Sequence, residues 1–348
     1  MLCLMAPGAF GQDHRIVGGA HATEGEYPWM VEMLFIDDQH LCGATLIHPE
    51  WVLTAGHCAL VGDGANMRLI ANSLNNTTTA PGPQAEELLV DTIWYHPEYD
   101  GLNGPDLALI HLAQPANTPV VPLLGPGVTT GLDPGDPALA LGWGNADTVI
   151  FGPSDTLRAV LVPLVGFAEC AALYAGSTSD LFTLNGTTGL LCAAGEAGEP
   201  AIGSGNGDSG GPLLIELDGG WVQAGVVYGG EGQYATAAFP GVYTSVPYNR
   251  EWIQATIDGT VSTIAAATPP AAARVVTGAD GLRVVLPEGE PSALLELLGS
   301  DGRLLARVPV GRDGERWTPW PAGAGLLIAR VLSPEARALF SAPVVRPW

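Results

Sequence analysis

The 348-residue chain is 47% hydrophobic, too apolar for a disordered polymer, and it has no run of 18 apolar residues that would read as a membrane span. The formal net charge is −23; all 13 basic residues are arginine, and residues 1–259 carry four of them against 28 acids. So acidic a surface repels nucleic acid and anionic membrane, and neither is an expected partner.

The opening "MLCLMAPGAFGQ" reads over residues 1–11 as the end of a secretory signal without its basic start, which places the true start codon upstream. Cys3 leaves with that segment. Of the other cysteines, Cys42 and Cys58 bracket one short loop and Cys170 and Cys192 another. No CxxC pair suggests zinc, and two local bridges, Cys42–Cys58 and Cys170–Cys192, fit an exported protein. Each bridge contributes about 3 kcal/mol by restricting the unfolded chain.

Short apolar runs follow, among them "WMVEMLFI" (29–36), "ATLIHPEWVLTA" (44–55), "DLALIHL" (106–112), "ALALGWG" (138–144), "LRAVLVPLV" (157–165), "GPLLIEL" (211–217) and "WVQAGVVYG" (221–229). They are β-branched or alternating, and 47 glycines and 29 prolines punctuate the chain, which predicts an all-β fold of barrels or sandwiches. One helix is predicted over 248–257, where Trp252, Ile253 and Ile257 share a face. Residues 259–273 are small and proline-containing and read as a linker. Beyond them, residues 274–348 hold five strand-like runs, enough for a small β-sandwich, with "SDGR" (300–303) as a hairpin turn. This tail carries nine arginines against eight acids, unlike the acidic body.

The densest glycine cluster is "GNGDSGGP" (205–212), built around the single hydroxyl of Ser209. Glycines there let backbone N–H groups crowd a reactive oxygen; alternatively Ser209 is an ordinary turn residue. A nucleophilic serine needs a base, and an imidazole titrates near neutrality. His57, in "TAGHC" (54–58), is set beside a cysteine that can fix it in place. The remaining histidines (His14, His21, His40, His48, His96 and His111) lack such a setting and read as surface or structural. Asp106 opens an apolar strand, where a buried carboxylate needs a partner; taken alone it also reads as a turn acid.

"RIVGG" (15–19), "TAGHC", "DLALIHL", "GWG" (142–144), "GNGDSGGP" and "PGVYTSV" (240–246) stand in the order found in chymotrypsin-like (trypsin-like) serine endopeptidases, and the resemblance covers residues 15 to 258. It implies two antiparallel six-stranded-type β-barrels, with the catalytic residues between them, followed by a C-terminal helix. It also implies Ser209 as nucleophile, His57 as general base and then acid, and Asp106 as the residue fixing the tautomer of His57. The N–H groups of Gly207 and Ser209 would form the oxyanion hole. Cleavage after Arg15 would remove residues 12–15 as a short propeptide and free the α-amine of Ile16 to pair with Asp208. The mature protease domain would then span 16–258. The implied partners are protein or peptide substrates and an activating protease.

The resemblance breaks at the specificity pocket. Gly203 stands six residues before the nucleophile, where trypsin-like members hold an aspartate. With Gly230 and Gly241 as pocket walls, the slot is open and uncharged, which favours a large apolar P1 residue; Glu231 beside the wall is the alternative source of a basic preference. A disulfide usual in the family is missing, since Gly205 and "GGEGQYA" (229–235) contain no cysteine, and the pocket rim is expected to be more mobile. In "GVVYGG" (225–230), strict register puts Tyr228 on a serine that helps hold the triad aspartate; a one-residue slip makes it the aromatic wall of the substrate cleft. No cofactor or metal is expected, calcium being a weaker alternative because the acids are scattered without ligand spacing.

The tail, through "ALLELLGSDGRLLARV" (293–308) and "GAGLLIARVL" (323–332), loosely resembles the sorting domains of bacterial type IX secreted proteins, which would make secretion machinery a further partner. An accessory sandwich is the plainer reading. A secreted bacterial endopeptidase is the expected whole, against a catalytically impaired homologue acting in binding or adhesion.

Overall fold

The computed structural model describes residues 19–62, 67–76, 82–99, 104–145, 152–175, 189–195, 202–231, 234–259, 274–278, 281–286, 292–298, 304–311, 326–332 and 338–345. Arg15, Ile16 and the "SDGR" turn lie outside them. The first half holds β1 (Ala20–His21), β2 (Met30–Phe35), β3 (His40–His48), β4 (Trp51–Thr54), α1 (Gly56–Gly62), β5 (Met67–Ala71), β6 (Glu86–Leu88), β7 (Val90–Tyr95) and β8 (Ala108–Leu112). The second holds β9 (Pro137–Gly142), β10 (Arg158–Val165), α2 (Phe167–Tyr174), β11 (Leu190–Ala193), β12 (Pro212–Leu217), β13 (Gly220–Gly229), β14 (Gly241–Ser245) and α3 (Val246–Ile257). The tail adds β15 (Arg274–Gly278), β16 (Gly281–Val285), β17 (Ser292–Leu298), β18 (Leu304–Gly311), β19 (Leu326–Leu332) and β20 (Ala338–Val345).

Among the described residues every pairing between these strands is antiparallel. The second half forms a closed barrel. Its order is β10-β11-β14-β13-β12-β9, and β9 pairs back onto β10, with β1 added outside. In the first half the order is β6-β5-β2-β3-β4-β8-β7, an open sheet by hydrogen bonds. Only Leu89 separates β6 from β7, so the two ends belong to one bent run of chain and the ring closes covalently. Strand β10 shows why these sequences form barrels: Arg158, Val160, Val162 and Leu164 turn inward, and Leu161 between them is 59% exposed.

The barrels share a seam. Met30 of β2 belongs to one apolar cluster with Leu139, Leu141, Trp143 and Leu214, and Val226 of β13 sits in the core of the first barrel. Thr45 Oγ1 donates across the seam to Gln223 Oε1 at 2.8 Å, satisfying two buried polar groups. Helix α3 begins two residues earlier than predicted because Ser245 caps it, accepting from the N–H of Tyr248, and Pro247 presets its first turn. Gly259, at φ +64°, follows its end. Ile253 and Val246 bury against the first core, with Trp252 and Ile257 packed beside them.

In the tail, β15–β16 and the four-stranded order β18-β17-β19-β20 form two sheets. Leu282 and Val284 of β16 share a core with Ala293, Leu295 and Leu297 of β17 and with Val331 of β19. Alternate residues thus meet across two sheets, the sandwich arrangement predicted for this segment.

Candidate active site

Strand β4 runs into α1, which presents His57 on its first turn and Cys58 immediately after. Cys58 is bonded to Cys42 of β3, which ties that turn to the barrel wall. Asp106, 1% exposed, stands just before β8 and uses both oxygens on His57. Oδ1 accepts the backbone N–H at 2.8 Å, and Oδ2 accepts from Nδ1 at 2.6 Å. The first bond satisfies a helix-terminal donor that has no partner inside the helix. The second fixes the tautomer, leaving Nε2 to act as an acceptor when the ring is neutral. Burial opposes the charged imidazole, but the charge and hydrogen bond of Asp106 outweigh it and hold the His57 pKa above its ordinary value.

Ser209 is anchored on β3, the strand that carries Cys42. Its carbonyl accepts the N–H of Gly43 at 2.8 Å, and Gly43 adjoins the bridged Cys42. Gly210 fits against Thr54 Oγ1, with the backbone N of Ala55 3.2 Å from where a Cβ would sit. Among the described residues the Ser209 hydroxyl makes no hydrogen bond to His57, whose Nε2 lies 3.5 Å from Cys58 Sγ. Catalytic hydrogen bonds are commonly long until substrate tightens them.

Two backbone donors of the same loop stand without acceptors among the described residues. Gly207 has φ +96°, and an added Cβ would come within 3.0 Å of Gly144 Cα, so the position demands glycine. The preceding carbonyl, of Asn206, accepts the N–H of Asn145 at 2.6 Å. Across a trans peptide the N–H of Gly207 points the opposite way. Among the described residues neither that N–H nor the N–H of Ser209 has an acceptor.

Asp208, between them, turns its side chain inward and is 1% exposed. Its oxygens accept the N–H groups of Gly144 and Gly205, each at 2.7 Å. Burial pushes its pKa up to about 6, against those two donors and the nearby His40, which pull it down. The glycines of "GWG" now have a reason, since a Cβ on Gly142 or Gly144 would collide with this carboxylate.

The sequence matches the family model described as Trypsin over residues 16–253. The chain belongs to the trypsin family. It is 36% identical over 259 residues to a tryptase of Mus musculus, an alignment covering 71% of this chain and 90% of that protein. The protein is accordingly a chymotrypsin-like serine endopeptidase, and both bridges expected from the cysteine spacing, Cys42–Cys58 and Cys170–Cys192, are formed.

Gly230 and Gly241, two of the glycines assigned to pocket walls by the resemblance, lie close together. A Cβ on Gly230 would lie 3.9 Å from Gly241 Cα, and one on Gly241 would lie 2.9 Å from Ser204 Oγ. Gly203, at φ +143°, abuts Ala235. Sequence reasoning missed the polar pair at this end, Ser204 Oγ and Tyr243 Oη, 3.1 Å apart. It also missed what links the rim where the family's usual disulfide is lacking. Gly205 bridges Tyr234, and Ala235 donates to Ser204 O at 2.9 Å. The β13–β14 register runs in step from Gly225↔Ser245 to Val227↔Tyr243, then skips Tyr228 and resumes at Gly229↔Val242. Tyr228 is thus the extra residue of a β-bulge, a device that re-aims a side chain. It packs on the cluster of Cys170, Tyr174, Cys192 and Val242.

The cysteines beside His57 are disulfide-bonded, so Cys42, Cys58 and His57 are not a metal site despite their proximity. Among the described residues no helix is long and apolar enough to cross a membrane.

Proposed function

We propose that this serine endopeptidase hydrolyses peptide bonds through an acyl-enzyme on Ser209. His57 acts as base and then acid, and Asp106 orients it. The observation that carries the reading is the two-point grip of Asp106 on His57, supported by two backbone donors, at Gly207 and Ser209, that have no acceptor among the described residues. His57 takes the Ser209 proton as Oγ adds to the scissile carbonyl, the C–O π electrons move onto oxygen, and the two N–H groups receive that charge. The proton then passes to the leaving amine, and water repeats the sequence to release the acid.

The protease is made as a secreted zymogen, with Arg15 as the activation site. A carboxyl as costly to ionise as Asp208 calls for a buried cation, and the Ile16 ammonium freed by cleavage supplies one. With an α-amine reference pKa of about 8, that pair weakens as pH rises past it. A fluorophosphonate probe tests both ideas. It labels Ser209 after cleavage at Arg15 and does not label the uncut Arg15→Gln variant; full labelling of that uncut variant overturns the activation scheme.

The glycine-walled pocket favours a large apolar P1 residue, with Tyr228 as an aromatic wall of the cleft. One observation favours a basic P1 instead: Glu231 Oε2, beside Gly230, is buried without a hydrogen-bond partner among the described residues. A peptide-library profile separates them. Cleavage after Phe, Tyr or Leu, unchanged in Glu231→Gln, is expected; cleavage after Arg or Lys that this variant abolishes establishes the second reading.

A further inference from the structure

We propose that Asn206 is a self-modification site: its side-chain amide condenses with the backbone nitrogen of Gly207, one of the two donors assigned to the oxyanion, and so gives the protease a built-in lifetime. The inference rests on the serine-protease reading of the site above. Asn206 stands directly before Gly207 in "GNGDSGGP". It is exposed, and among the described residues its side chain makes no hydrogen bond that would hold it away from the next peptide. The Gly207 N–H has no acceptor among the described residues either. Asparagine is one of the thermolabile side chains, and a following glycine leaves the attacking nitrogen without a Cβ to shield it.

The step balances with water alone. The Gly207 nitrogen gives up its proton and attacks Cγ of Asn206; the Cγ–Nδ2 bond breaks, and the NH₂ leaves with that proton as ammonia. A five-membered imide then joins the two residues. Water opens it on one of two sides, its oxygen staying on the carbon and a hydrogen returning to the nitrogen. Breaking the bond from that nitrogen to Cγ leaves aspartate at position 206 in the original chain. Breaking the bond to the backbone carbonyl carbon leaves isoaspartate, with the chain running through Cγ and one methylene longer.

The position makes this step costly for catalysis. An amide nitrogen is planar, so Cγ takes the place that its hydrogen held. The hole loses a donor and gains a carbonyl group in the direction the reacting oxygen needs, while His57 and Asp106 are untouched. In isoaspartate the N–H returns, but the added methylene moves it. The Asn206 carbonyl, which accepts the N–H of Asn145 at 2.6 Å, then no longer belongs to the main chain. In the aspartate product the main chain and both donors are restored, and one exposed negative charge is added.

The test ages the activated protease and isolates intact chains before each assay. Peptide mapping reads residue 206 as amide, imide, isoaspartate or aspartate, with Asn103–Gly104 and Asn185–Gly186 as internal references. Fluorophosphonate labelling of fresh enzyme is the prior condition for the kinetic arms; its failure sinks the protease reading, and the mapping still decides the modification. The imide and isoaspartate fractions lose about 10²-fold or more in kcat, as for removal of one oxyanion donor. Asn206→Asp, which has the charge without the longer chain, loses less than about tenfold. Asn206→Gln starts within about twofold of the wild type, needs a six-membered ring to react, and keeps its activity after the wild type has lost its own. A saturating peptide aldehyde, whose adduct oxygen accepts the Gly207 N–H, slows conversion at Asn206 about tenfold and leaves Asn103 and Asn185 unaffected. Four results each overturn the proposal: an Asn206 amide that persists while both references convert, modified fractions that keep full kcat, a glutamine variant that ages as fast as the wild type, or conversion indifferent to the aldehyde.

Discussion

Replacing Ser209 by alanine lowers kcat by about 10⁶-fold and leaves the fold as stable as before. The two halves of that expectation have separate causes. The nucleophile and its base act as one unit, so removing the oxygen removes all the benefit of His57 and Asp106 together. What survives is the effect of binding and of two oxyanion donors, about 10³-fold over water. Stability holds because the Ser209 hydroxyl makes no hydrogen bond among the described residues, and the bond that anchors this residue, from Gly43 N–H to its carbonyl, is backbone. The measurement is active-site titration with a fluorophosphonate beside thermal unfolding. No labelling and an unchanged Tm are expected; labelling elsewhere in the chain would relocate the nucleophile.

The residues whose chemistry admits few substitutes were legible before any coordinates. Ser209, His57 and Asp106 each sit in a short motif, and the structure joins the last two through both oxygens of Asp106. Helix α3 was legible from its period and the tail from its alternation. What was missed is tertiary. His40 read as an ordinary histidine because both its partners, Glu32 Oε1 at 3.0 Å and the Gly207 oxygen at 2.9 Å, are remote in the chain, yet Glu32, an acid amid Val31, Met33 and Leu34 in β2, is the signal that exposes it. A charge in a strand buried on both faces requires a partner. The closure of the first ring through Leu89 was equally hidden, since a bend within one strand leaves no turn residues to mark it. Helices α1 and α2 are too short, at 7 and 8 residues, for periodicity to declare them.

Asp106→Asn lowers kcat by about 10⁴-fold and moves the acid limb of kcat/KM to lower pH. The carboxylate accepts two N–H bonds from one residue, at Nδ1 and at the backbone of His57. Asparagine has one oxygen and one NH₂. If its oxygen keeps the backbone bond, its NH₂ faces Nδ1, and the ring must move its proton to Nε2. A ring protonated at Nε2 cannot take the Ser209 proton, so the loss falls on kcat. The pH shift has an independent origin. Burial disfavours the imidazolium, and the Asp106 charge and hydrogen bond are what raise His57 above its ordinary pKa. Removing them leaves burial unopposed, so His57 stays neutral to lower pH. Rate–pH profiles of the two proteins check the sign: an acid limb that moves upward, or stays in place while kcat falls, would mean that Asp106 is not the group acting on His57.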